Sequence, residues 1–236
     1  LNVLASNYPS WQLTSRQICD LELILNGSFS PLDSFLSKDD YDSVVKEMRL
    51  SNGALWPLPI TLDVDDKFAK TNSNASKITL RDKEGFALAI LTISDIWKPD
   101  LKLEAKSVFG TLDTKHPGVS YLLNIGNNNY IGGSLEKISS PHHHDYKNLR
   151  YDPNDLKSYV KSKKWDKVIA FQTRNPLHRA HFELTKNAMN ELDANLLIHP
   201  VVGMTKPGDV NYFTRTRCYQ HVMSEYPENS AILSLL

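Results

Sequence analysis

Between positions 171 and 181 the chain reads Phe171-Gln172-Thr173-Arg174-Asn175-Pro176-Leu177-His178-Arg179-Ala180-His181. Two arginines, two histidines three positions apart and the amide or hydroxyl donors of Gln172, Thr173 and Asn175 share this stretch, and no acid lies between Asp166 and Glu183. Such a set of donors suits several phosphate or sulfate oxygens at once. A guanidinium is a planar fork that meets two oxygens of a tetrahedral oxyanion, which makes Arg174 the first candidate for anion capture. A surface ion pair is its other reading. His178 and His181 stand one helical turn apart, so both can face one ligand. That spacing also occurs in zinc sites, but zinc needs further ligands and no Cys or acid stands at a suitable offset. Two satisfied structural histidines are the remaining alternative. Arg179 points elsewhere if both histidines face a ligand, and it divides between a ligand role and a salt bridge.

The flanking elements position these donors. Val168-Ile169-Ala170-Phe171 is a short apolar run and predicts a buried parallel strand. Ala180, Leu184, Ala188 and Leu192 recur every four residues and predict a helix with that stripe buried. The donors therefore sit on a strand-to-helix turn, where free N–H groups and a partial positive charge already favour anions. Pro176 sets the turn before the helix. Residues 195–202 predict a second strand, followed by Gly203-Met204-Thr205-Lys206-Pro207-Gly208-Asp209. Lys206 adds a positive charge, and Gly203 and Gly208 permit close backbone approach. The same string is also an ordinary Lys-Pro-Gly turn. His199, before Pro200, either packs the strand end or lines the crevice. A helix over 214–226 and a strand over 231–235 complete a β-α-β-α-β order, with a further helix predicted at 153–163. That order predicts a parallel, doubly wound sheet with ligands at the carboxyl ends of its strands. The turn and the lysine loop then face one crevice.

The first part of the chain has a different period. Thr14 and Gln17 fit a capping box, Ile18, Leu21 and Leu25 form a helical stripe, and Gly27 suits the C′ position. Ser37 caps a second helix with Tyr41, Val44, Val45 and Met48 on one face. Alternation at 60–64 and 77–81, and apolar runs at 86–97 and 130–138, predict strands. Residues 82–85 read as a turn and Gly132-Gly133 as a bulge. Residues 100–128 are weakly patterned, with Pro117-Gly118 as a breaker. The polar run 139–152 reads as a linker, and His142-His143-His144 within it as a solvated loop. The resulting division is a β-rich domain over 1–145 and an α/β domain over 146–236.

Composition narrows the partners. The 236 residues include 27 basic and 27 acidic side chains, so the formal net charge is zero. Bulk electrostatic capture of nucleic acid or of an anionic membrane is not expected, and an anion site must be local. Cys19 and Cys218 lie far apart and each reads as a small buried residue or a free thiol rather than half of a disulfide, which fits a reducing compartment. No run reaches membrane-spanning length and no cleavable signal is visible. Leu1 is not a methionine, so a removed leader stays open.

The string QTRNPLHRAH closely resembles the nucleotide-binding motif of the ATP sulfurylases (sulfate adenylyltransferases). Gly203–Asp209, the flanking residues 197–202 and 233–236, and Asn26-Gly27-Ser28-Phe29-Ser30-Pro31-Leu32 resemble that family too. The resemblance spans essentially the whole chain. It implies a PUA-like N-terminal domain followed by a HUP/Rossmann-like catalytic domain, incomplete here. It implies ATP and sulfate as substrates, adenosine 5′-phosphosulfate and pyrophosphate as products, and a homo-oligomer in the cytoplasm. Magnesium is implied as Mg-ATP, with no tightly bound cofactor and no protein metal site. By the same resemblance Gln172 and Arg174 bind sulfate. Gln172, Asn175, His178 and His181 bind ATP, and Thr173, Arg174 and Asn175 act in catalysis, with Lys206 and His199 as weaker candidates. The family's later GRDH motif is absent, so the chain is expected to be part of a longer protein. Rival readings are a catalytically incomplete homologue, another HxxH nucleotidyltransferase such as a class I tRNA synthetase relative, and an RNA-binding PUA-like module. The first domain shows no arginine cluster to favour the last.

Overall fold

A computed structural model describes residues 5–202 and 208–236. The chain forms two compact units that divide between His142 and His143.

The first unit opens with strand β1 (Ser10–Gln12) and helix α1 (Ser15–Leu25). Thr14 accepts from the Gln17 amide while the Gln17 side chain accepts from the Thr14 amide, so the capping box is present. Helix α2 (Lys38–Glu47) follows, with Tyr41 and Val44 buried. Met48 leaves the expected stripe: it is the left-handed C-cap, where the helical direction is already lost, and it is 57% exposed. Strand β2 (Leu62–Val64) and helix α3 (Asp66–Thr71) precede β3 (Lys77–Arg81) and β4 (Ala87–Trp97). The weakly patterned region is helical, contrary to expectation. Asp100 caps α4 (Leu101–Phe109) through the amides of Lys102 and Leu103, and left-handed Gly110 ends it. Pro117 is the first residue of a short helix α5 (Pro117–Ser120), where its missing N–H costs nothing, and a π-turn (Tyr121–Ile125) continues it. The apolar cluster buried there is small, Ala105, Val119 and Leu122, too narrow a stripe to show as periodicity, and Glu104 is buried beside Ala105.

Strand β5 (Asn129–Lys137) completes a sheet of order β1-β3-β4-β5-β2, parallel only at β1 with β3. The expected irregularity at Gly132-Gly133 lies across the β4–β5 pair, where Ile93 faces Gly133 and Asp95 faces Gly132, leaving Ser94 as the extra residue. A Cβ on Gly133 would lie 1.9 Å from the Thr92 carbonyl oxygen and one on Gly132 2.5 Å from that of Leu36, so both positions need glycine. The core includes Leu13, Leu21, Phe35, Leu62, Ile78, Leu80 and Leu91. Asp63 is a polar hub inside it. It accepts from Arg16 at 2.5 Å, from Gln17 Nε2 at 2.8 Å, and from the backbone and side-chain amides of Asn127 at 2.9 and 3.0 Å.

The second unit does not begin with a free linker. Asp145 accepts from the Tyr212 hydroxyl and from Arg150, and the Leu149 carbonyl accepts from the Leu235 amide at 2.8 Å. These bonds hold the Asp145 carboxyl below its ordinary range, the Tyr212 hydroxyl being the main cause. Helix α6 (Pro153–Ser162), strand β6 (Val168–Phe171), helix α7 (Arg179–Leu192), strand β7 (Asn195–Ile198), helix α8 (Tyr212–Met223) and strand β8 (Ala231–Leu233) follow. The strands are parallel in the order β6-β7-β8. That order runs in one direction, so the reversal that defines a doubly wound sheet does not occur among the described strands. Strand β6 is an edge and only half-covered: Val168 is 40% exposed. The buried face of α7 also differs from expectation. Thr185 and Met189 are buried, with Phe182 packed beside them, while Leu184 and Leu192 of the expected stripe are exposed.

Candidate functional site

The second unit sets the donors on a scaffold at the carboxyl end of its sheet. Past the strands, the His199 amide donates to Phe171 O at 3.0 Å and the Val201 amide to Thr173 O at 2.9 Å, so the ladder continues into Thr173. The chain then leaves the sheet. Thr173 Oγ1 accepts from the Asn175 amide at 3.1 Å, a local side-chain bond of the kind that shapes tight turns. Buried Leu177 pins the far side of the turn, and α7 starts two residues later.

His178 is the N-cap of α7 but makes no side-chain cap, and the first turn holds no acid. The first amides of the helix therefore keep their partial positive charge for an outside acceptor. The rings of His178 and His181 stack with centroids 3.8 Å apart, and His181 lies 5.6 Å from Phe171. His181 Nδ1 is buried without a partner among the described residues. The two histidines are thus brought together as the spacing required. Among the described residues no group of three or more His, Cys, Asp or Glu could hold a metal ion. Arg179 points away: its side chain is 92% exposed and only 3.9 Å from Glu183, the salt-bridge alternative.

Arg174 is ion-paired with Asp209. An anion that reaches this guanidinium meets Asp209 as a competitor. Gln172 and Asn175 are exposed at the same turn. His199 is half-buried beside it, and burial pushes its imidazole below the ordinary value. Lys206 and Gly203 lie outside the described residues; Gly208 has the left-handed φ of +90° that glycine tolerates.

Sequence reasoning missed the residues behind the turn. Arg215, 2% exposed, donates through Nη1 to the carbonyls of Arg174 and of Val201, the latter at 3.1 Å. Tyr219, fully buried, donates to Asn175 O at 2.8 Å. Burial raises the Tyr219 hydroxyl above its usual range, which keeps it a donor. Both belong to α8 at positions i and i+4, a helical neighbour spacing. A polar pair on the inner face of a helix was the one available signal.

Residues 2–140 match the family model described as a PUA-like domain, and residues 147–236 match the ATP-sulfurylase model. The sulfate adenylyltransferase of Saccharomyces cerevisiae is 52% identical over 98% of this chain and 45% of its own length. That of Kluyveromyces lactis is 55% identical over 98% of this chain and 46% of its own length. The hexameric APS kinase from Thiobacillus denitrificans is similar in structure, with a TM-score of 0.81 and 32% identity over all of this chain and 43% of that one. The chain therefore spans less than half the length of these relatives.

Proposed function

The chain belongs to the ATP sulfurylase (sulfate adenylyltransferase) family, and from that premise we propose that its second unit supplies the anion-handling part of a sulfate adenylyltransferase site. The substrates are ATP and sulfate, and the products adenosine 5′-phosphosulfate and pyrophosphate. The observation that carries this reading is the donor turn itself. Arg174 and the stacked His178–His181 pair stand at the carboxyl end of β6, against the uncapped N-terminus of α7.

Arg174, with Gln172, holds sulfate edge-on. A sulfate oxygen attacks the α-phosphorus of ATP. The new O–P bond forms as the bond from the α-phosphorus to the bridging oxygen breaks, and pyrophosphate leaves with that electron pair. Sulfate is a poor nucleophile that needs no base, so positioning and charge stabilisation supply the rate. His178, His181 and the first amides of α7 hold the triphosphate oxygens where charge develops. Thr173 and Asn175 fix the turn and reach the nucleotide, with His199 beside them; Lys206 is a weaker candidate on the sequence resemblance alone. Mg2+ enters with ATP and neutralises its phosphates. In this reading the parallel sheet is the first part of a HUP/Rossmann-like domain that begins near residue 146. The assembled protein is a cytoplasmic homo-oligomer that needs no nucleic acid, membrane or tightly bound cofactor.

Pyrophosphate release from Mg-ATP with sulfate or molybdate tests this in the full-length protein. Arg174→Ala and His181→Ala should each lower sulfate-dependent turnover by about 10²-fold or more, the usual loss on removing one such donor. Turnover unchanged in both variants would place the site elsewhere.

A further inference from the structure

We propose that Arg215 and Tyr219 are positioning residues for the anion turn, gripping it from behind so that Arg174 and Asn175 face the ligand. The proposal rests on the reading of that turn as an oxyanion site. Its structural basis is a division of labour between the two sides of one short loop. The side chains of residues 172–175 are exposed or partly exposed. Two consecutive carbonyls of the same loop, those of Arg174 and Asn175, are taken up by buried donors one helical turn apart on α8. Arg215 also reaches the Val201 carbonyl, just past the end of β7, and so ties the turn to the neighbouring strand. One guanidinium therefore spans the turn and the segment that follows β7. Tyr219 locks the next peptide.

Geometry and charge act in the same direction here. A peptide group whose carbonyl is anchored inward cannot rotate that carbonyl toward an incoming oxyanion, where it would repel. The acceptors of Arg215 are neutral carbonyls, which do not cancel its charge, so it raises the potential under the turn in a region of low dielectric. Arg215 Nε is buried with no partner among the described residues, so part of the guanidinium's charge is left without an acceptor. Two positive charges, one buried and one at the surface, would both act on an anion bound at Arg174.

The test uses the full-length protein and four variants: Arg215→Lys, Arg215→Met, Tyr219→Phe, and Arg215→Met combined with Arg174→Ala. Affinity for inorganic sulfate is measured by calorimetry, and kcat and KM for sulfate by pyrophosphate release, each per folded molecule as judged by circular dichroism. Arg215→Met should lower kcat/KM for sulfate by about 10²-fold, the scale of a misplaced binding group, and weaken sulfate binding. Arg215→Lys should recover part of that loss. Tyr219→Phe should lower kcat/KM by about tenfold, since one hydrogen bond is removed without a cavity. In the Arg174→Ala background Arg215→Met should cost clearly less than it does alone, because the positioning route through Arg174 is gone and only the buried charge still acts. Full additivity in the double variant, or Arg215→Met that melts earlier yet keeps wild-type sulfate affinity and KM, would overturn the proposal. A wild type that binds sulfate but releases no pyrophosphate would defeat the functional reading and leave the calorimetric arm to decide the positioning role. A wild type that binds no sulfate would overturn both.

Discussion

His199 shows how a single residue reports its surroundings. Its amide completes the β6–β7 ladder while burial holds its imidazole below the ordinary 6.5. The folded state thus resists a proton that the unfolded chain accepts. Between the lowered value and 6.5 the unfolded state binds more protons, so stability falls as pH drops through that window and is unaffected above it. Urea midpoints measured from about pH 7 down to pH 5 should fall less steeply for His199→Gln than for the wild type. Parallel slopes would mean that another group sets the acid limb. The donor residues themselves were legible: spacing alone placed His178 and His181 on one face, and their rings stack. The partner of Arg174 was not legible, because Asp209 lies 35 positions away and contacts that distant are set by chain topology.

Helix α7 makes the same point for an element. Its apolar spacing announced a helix, but the buried face lies one position round from the expected stripe, a rotation of about 100°. Periodicity identifies an apolar face without identifying what covers it. Thr185 is buried because its hydroxyl bonds inward, to His181 O at 2.9 Å and to the Tyr226 hydroxyl at 2.7 Å, so a polar residue occupies a core position. On this chain Met189→Ala should destabilise by about 2–5 kcal/mol, whereas Leu184→Ala should stay within about 0.5 kcal/mol. Denaturant titration of the two variants checks the assignment, and the reverse ranking would restore the face expected from the sequence. In the first unit the helix over Leu101–Phe109 escaped notice for the opposite reason. It buries Glu104, whose carboxylate accepts from the Tyr41 and Tyr130 hydroxyls at 2.8 and 3.0 Å, so its inner face is partly polar.

At the scale of the molecule, each unit is held by contacts between residues remote in sequence. Asp63 joins α1 to the residues before β5, with partners 46 to 64 positions away. Asp63→Ala would leave Arg16, Gln17 and Asn127 without their shared acceptor inside the core. It should cost about 3 kcal/mol, toward the lower end for breaking a buried pair because Arg16 keeps some solvent. Chemical denaturation followed by tryptophan fluorescence measures this, and a loss under about 1 kcal/mol would show that water replaces the carboxylate. The sequence by itself determined the two classes of structure, the strand-to-helix turn and the concentration of donors on it. These rest on local periodicity, capping and charge, which act over a few residues. Only the tertiary structure decided which face of α7 is buried, that Arg174 meets Asp209, that residues 145–150 pack into the second unit, and that Arg215 and Tyr219 hold the turn from behind. Each of those depends on which distant segments the fold brings within hydrogen-bond reach, and no local pattern encodes that distance.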